Sequence, residues 1–165
     1  MKYISTRNNT KEFNFVDVFI KGLADDGGLY VPKSLKKYNS DELSDLKNLN
    51  YNELSTEIIN LFLADFITKE ELSSLIKKSY SKFREKEVVK ISSVGGIKLL
   101  ELFHGPTLAF KDYAMCLLAK IYDLYLRKKN QKLVIVGATS GDTGSAAIHA
   151  FKGIKNIDIF ILHPH

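Results

Sequence analysis

The chain has a single cysteine, Cys116. No intrachain disulfide can form, and a reducing, cytoplasmic setting is the expectation. No basic head followed by an apolar stretch opens the sequence, and no run approaches the roughly 18 apolar residues a membrane span requires. Neither secretion nor a membrane partner is expected. A focused stripe of one charge sign is also missing. The 24 Lys and Arg residues are interleaved with 19 Asp and Glu, leaving a net charge of +5. That distribution gives a mildly basic surface without the track and exposed aromatics of a nucleic-acid binder, and it leaves affinity for anionic metabolites open.

Several nucleotide and metal patterns are absent as well. A P-loop needs lysine after its last glycine, but Gly144 is followed by Ser145–Ala146. The dinucleotide fingerprint needs G-x-G-x-x-G, whereas the glycines here are Gly137, Gly141 and Gly144. His163 and His165 stand near a strand end with no cysteine or acidic partner at metal-ligand spacing, so no metal site is expected.

What is present is an α/β pattern. FNFVDVFIKGLA reads as helix, and Gly27–Gly28 turns the chain into an extended piece ending at Pro32. Residues 40–66 read as helical, with Leu43, Leu46 and Leu49 and then Leu54, Ile58, Leu61 and Phe62 on one face. Thr68 with Glu71 forms a capping box before Leu72, Leu75, Ile76 and Tyr80. Gly95–Gly96 marks a hairpin-like turn, and Lys98 to Phe103 a short strand.

The second half then runs strand, loop, helix, strand, glycine-rich loop, helix, strand. The helix over 111–129 has Ala114, Leu117, Leu118, Ile121, Leu124 and Tyr125 as its expected inward stripe. Leu133 to Val136 and Ile157 to Leu162 read as buried strands of a parallel sheet. A compact domain seldom stops as a central strand exits, so the chain is expected to be the front part of a longer protein. The expected organisation is a helix-rich subdomain over 1–90 and a partial α/β domain over 91–165.

Two loops, HGPTLAFK and GATSGDTG, each feed a helix N-terminus. Ligands of open parallel sheets bind beyond the carboxyl ends of the strands. Backbone N–H donors in the second loop suit an anion, and Ser140, Thr143 and Ser145 add hydroxyls. The plain alternative is that its glycines only make the turn. In the first loop, Lys111 near a helix N-terminus has its charged form disfavoured by the dipole and by partial burial. A neutral amine there can form a Schiff base with a carbonyl, which is how pyridoxal phosphate is held. The rival is a structural lysine paired with Asp112. His104 reads as a cap or pocket wall, His149 as packing or surface, and Cys116 as a small core residue.

YISTR at 3–7, GLADDGGLYVP at 22–32, ELFHGPTLAFKD at 101–112, VGATSGDTGSAAIHAFKG at 136–153 and FILHPH at 160–165 resemble the front part of the threonine synthase family. Those enzymes are fold-type II pyridoxal-phosphate enzymes of the tryptophan-synthase-β-like group. Asn8 departs from the glycine that commonly follows YISTR.

The resemblance implies that Lys111 is the cofactor lysine. It implies that Thr139, Ser140, Gly141, Asp142, Thr143 and Gly144 hold the substrate carboxylate, with Asp142 also reaching the cofactor. The implied reaction converts O-phospho-L-homoserine and water to L-threonine and phosphate, with Lys111 as the base for the α-proton. The family's grip on the cofactor phosphate lies beyond residue 165, so the chain alone is expected to bind cofactor poorly and to turn over little. The alternatives are a truncated, inactive fragment and another type II enzyme such as a serine or threonine dehydratase.

Overall fold

The computed structural model describes residues 1–164. Two compact units divide the chain, one over Met1–Ser74 and one from Leu75 onward. The first unit opens with β1 (Tyr3–Ser5), which pairs antiparallel with β2 (Tyr30–Pro32). Between them lies α1 (Phe15–Lys21), started by the Asn14/Asp17 capping box and stopped by Gly22 at φ 71°. The aspartate of the DDGG turn is anchored, because Asp26 accepts from Ser5 Oγ (2.8 Å) and from Gly28 N (2.9 Å). These bonds hold its carboxyl below the usual range, the serine contact being the larger cause.

The helical stretch expected over 40–66 is two helices, α2 (Ser40–Leu46) and α3 (Tyr51–Leu63). Asn39 and Asn50 each accept from the backbone N–H of the glutamate three residues on, Glu42 and Glu53. An amide side chain that satisfies the first N–H groups of a new helix ends the previous one, so two local capping boxes override a continuous leucine pattern. The Thr68/Glu71 box forms as expected (Glu71 N to Thr68 Oγ1, 3.2 Å) and starts α4 (Lys69–Tyr80). Leu72 and Ile76 of α4 are fully buried.

In the second unit, β3 (Lys90–Val94) and β4 (Ile97–Glu101) form an antiparallel hairpin. Its turn is Gly95–Gly96 at φ 53° and 82°, the positive values that a two-residue hairpin turn requires. The strand before the HGPT loop is therefore in a small sheet of its own and does not join the parallel one. The parallel pair is β5 (Leu133–Ala138) with β6 (Ile157–Leu162), in register from Leu133↔Ile157 to Ala138↔Leu162. α5 (Asp112–Lys129) precedes β5 and α6 (Asp142–Phe151) connects the two strands, giving the βαβ crossover of an α/β fold. Asn130 in the left-handed region closes α5, and Gly153 at φ 80° follows α6.

α5 buries Cys116, Leu117, Ala119, Ile121, Tyr125 and Leu126, while Ala114 is exposed. The inward stripe is therefore rotated from the expected one. Residues 79–88 line this helix: Tyr80 donates to Tyr113 O (2.9 Å), Ser79 to Cys116 O (3.3 Å), and Tyr113 to Val88 O (2.9 Å). Burial on β5 and β6 alternates: Val134, Val136, Phe160 and Leu162 are exposed and the intervening residues are covered. Only one face of the parallel pair is packed. No helix among the described residues is long and apolar enough to cross a membrane.

Candidate active site

Lys111 is the N-cap of α5, in right-handed helical geometry (φ −65°, ψ −21°), one residue before the position expected for it. It is half-buried, and its Nζ sits 4.6 Å from the centroid of the Phe110 ring, within cation–π range. Among the described residues it has no carboxylate within ion-pair distance. The rival reading, a lysine tied to Asp112, is not what the structure contains.

Asp112 is turned the other way. It is wholly buried (0% exposed) and accepts from Thr107 N (2.8 Å) and from Thr107 Oγ1 (2.8 Å). Thr107 Oγ1 in turn accepts from Ala109 N (3.4 Å). Gly105 packs on the same carboxylate: a Cβ there would lie 2.4 Å from both Asp112 Cβ and Oδ2. Between these anchors Leu108 takes φ 67°, a left-handed conformation uncommon for a leucine.

One residue upstream of Gly105, His104 Nε2 lies 2.9 Å from Glu101 Oε2, and His104 O accepts from Arg84 N (2.8 Å). Ser92, and secondarily His104, hold the Glu101 carboxyl below its ordinary range. His104 thus fixes the loop to the end of β4, in keeping with a wall or cap.

The second loop leaves β5 at Ala138 and enters α6 at Asp142, so residues 139–144 lie at the carboxyl end of a parallel strand, as expected. Thr139 N donates to Leu162 O (3.1 Å), tying the loop to the end of β6. Ser140 and Asp142 are exposed and Gly144 is buried. Gly144 has no room for a side chain, because a Cβ would meet Thr139 Oγ1 at 2.5 Å and Ile161 Cγ2 at 3.1 Å. Thr139 Oγ1 is itself buried without a hydrogen-bond partner.

A cavity of about 350 Å³ opens here, lined by Ala138, Thr139, Ser140, Leu162, His163 and Pro164. The structure thus brings Thr139 and Ser140 together with His163, which sequence reasoning had weighed only as a metal ligand. Lys111 is not among the residues lining it. Among the described residues no cluster of three or more His, Cys, Asp or Glu is placed to hold a metal, and His165 lies outside them. Sequence reasoning also missed Gly105, Thr107 and Asp112 as a unit; only the tightness of HGPT, with glycine before proline, hinted at a constrained turn.

The helix-rich first unit, the βαβ crossover and the two loops at helix N-termini define the front part of a fold-type II pyridoxal-phosphate enzyme. A family profile described as "Threonine synthase N terminus" matches residues 2–80. The chain carries the N-terminal threonine synthase domain of the fold-type II pyridoxal-phosphate enzymes. It is 45% identical to a threonine synthase of Pseudomonas aeruginosa over 100% of this chain and 35% of that protein. It is 40% identical to a "Threonine synthase-like 2" of Pongo abelii, covering 99% of this chain and 34% of the relative. The crystal structure of PLP-bound threonine synthase from Brucella melitensis superposes with a TM-score of 0.94 at 42% identity, covering 100% of this chain and 36% of that one. The chain thus spans about a third of the length of these relatives.

Proposed function

We propose that the chain contributes the cofactor lysine and the substrate loop of a pyridoxal-phosphate-dependent threonine synthase acting on O-phospho-L-homoserine. Residues 91–165 carry the chemistry in this reading, and residues 1–90 form the helix-rich scaffold. The observation that carries it is the state of Lys111: in a chain of this family, the residue is half-buried, has no carboxylate within ion-pair distance among the described residues, and caps an 18-residue helix.

The residues present fit the cofactor's reactive end. A lysine amine without an ion-pair partner is available to a carbonyl, and residues 139–144 offer backbone donors and hydroxyls at the start of α6 for an anion. Pyridoxal phosphate, when bound, supplies an electron sink for charge developing on the substrate's α-carbon.

Lys111 would hold the cofactor through its Nζ. The same amine would serve as general base for the substrate's α-proton. The backbone N–H groups near Gly141, with Thr139, Ser140 and Thr143, would orient the substrate carboxylate, aided by the α6 dipole. Asp142 at the first turn of α6 would face the cofactor side. The narrow packing of Gly144 on Thr139 and Ile161 would keep the start of α6 close to the end of β6.

Adding pyridoxal phosphate to the purified chain and recording absorbance near about 410 nm tests the lysine. A weak band that needs high cofactor concentration and is lost in Lys111→Ala is the expected result, and a band that survives the substitution overturns the assignment. Incubation with O-phospho-L-homoserine separates the reactions: phosphate with threonine supports the synthase, whereas phosphate with a keto acid points to a different lyase. A band without turnover assigns the chain to cofactor capture alone.

A further inference from the structure

Asp112 is a buried carboxylate that has no cation among the described residues. Desolvating a charge is costly unless hydrogen bonds or a dipole compensate it. The compensation here is local: two hydrogen bonds from Thr107 and the positive end of α5, of which Asp112 is the first residue. An apolar residue would fill the same space without that cost. What the carboxylate adds is a tie across the turn, from the start of the helix back to Thr107.

The turn needs such a tie. Leu108 is held at φ 67°, a conformation that persists only where its surroundings impose it. Asp112 grips both the backbone and the side chain of Thr107, Thr107 Oγ1 receives Ala109 N, and Gly105 closes on the carboxylate with no space for a Cβ. Lys111 is the residue enclosed by this network and bonded to none of it. Its backbone belongs to the clamp's last peptide, and its side chain leaves the turn over the Phe110 ring with no carboxylate in reach among the described residues.

We propose that Asp112, through Thr107, is the positioning residue for Lys111: the clamp fixes the backbone from which the amine is delivered to pyridoxal phosphate. This rests on the assignment of Lys111 given above. It has two consequences. The neutral Asp112→Asn substitution keeps the size of the side chain but weakens the grip on Thr107. The effect falls on the selectivity of Lys111 as well as on overall stability.

Reductive labelling of the 165-residue chain with pyridoxal phosphate and borohydride, mapped by peptide mass spectrometry, measures how strongly Lys111 is favoured over exposed lysines such as Lys152 and Lys155. The unsubstituted chain is expected to favour Lys111, and Asp112→Asn to lower that preference by about tenfold, as small misplacements of a reacting group do. Thr107→Val, which removes one of the two bonds, should move it in the same direction by less. Ile121→Ala destabilises α5 from its buried face and should leave the preference intact.

Wild-type preference in both Asp112→Asn and Thr107→Val overturns the proposal while leaving Lys111 as the anchor. Equal loss in Ile121→Ala also overturns it, because the label would then report stability. An unsubstituted chain with no preference for Lys111 removes the lysine assignment and the clamp together.

Discussion

The two loops that meet helix N-termini in the second unit are built in opposite ways. In residues 104–112 nearly every polar group is committed: Asp112 to Thr107, Thr107 to Ala109, His104 to Glu101 and Arg84. In residues 139–144 the backbone is tied at Thr139, but Ser140 and Asp142 are exposed and the buried Thr139 hydroxyl has no partner. A group that must be delivered to one atom gains from rigidity, because its ordering cost is met on folding. A loop that closes on a ligand keeps unsatisfied donors and acceptors for that ligand. The difference suits an anchor on one side and a binding loop on the other.

The sharpest way to break the contrast is to place a methyl group in each loop. Gly105→Ala drives a Cβ to 2.4 Å from an immobilised carboxylate, and a loss of about 2–3 kcal/mol in urea unfolding is expected. Gly144→Ala meets the tip of Thr139, which has no bond to lose, at 2.5 Å, and should cost about 1 kcal/mol. Equal costs would mean that the second loop is as rigid as the first.

Removing a hydroxyl from each loop gives a smaller, cleaner comparison. Thr107→Val leaves Asp112 short of a donor inside the protein and should cost about 1.5–2 kcal/mol. Thr139→Val deletes an orphaned hydroxyl and should change stability by no more than about 0.5 kcal/mol. A large loss in Thr139→Val would show that this hydroxyl already has a partner.

A separate effect is in alkali. Burial, and then the charge of Asp112, push the Cys116 thiol from 9.0 up to about 11. A thiol that ionises later in the folded chain than in the unfolded one stabilises the fold below pH 9 and loses that contribution as pH rises toward 11. Unfolding curves between those values should show a decline that Cys116→Ala abolishes. A decline that persists unchanged in Cys116→Ala assigns it to other groups.

Legibility in the sequence followed the range of the interactions. The Thr68/Glu71 box, the Gly95–Gly96 turn and the α5 and α6 helices were readable because each is set by residues within a few positions. The break between α2 and α3 was equally local, but the leucine pattern running through 40–66 hid the Asn50/Glu53 box. The strand before HGPT was readable as a strand and the Gly95–Gly96 turn pointed to its hairpin partner, but its absence from the parallel sheet was not readable. A two-residue turn binds it to β3, and the parallel pair forms without it. The apolar runs of β5 and β6 read as buried on both faces, whereas the structure covers only one.

The order of elements, the two loops at helix starts and the candidacy of Lys111 were determined by the sequence alone, since caps, turns and periodicity act through near neighbours. Which partner Asp112 takes, and that Lys111 has no carboxylate beside it among the described residues, was decided only by the tertiary structure. Two adjacent charges can pair or turn apart, and the choice depends on which side of the chain is shut off from water. Burial against Gly105 and Thr107 settles it here: the carboxylate goes inward where donors wait for it, and the amine stays at the edge of the turn.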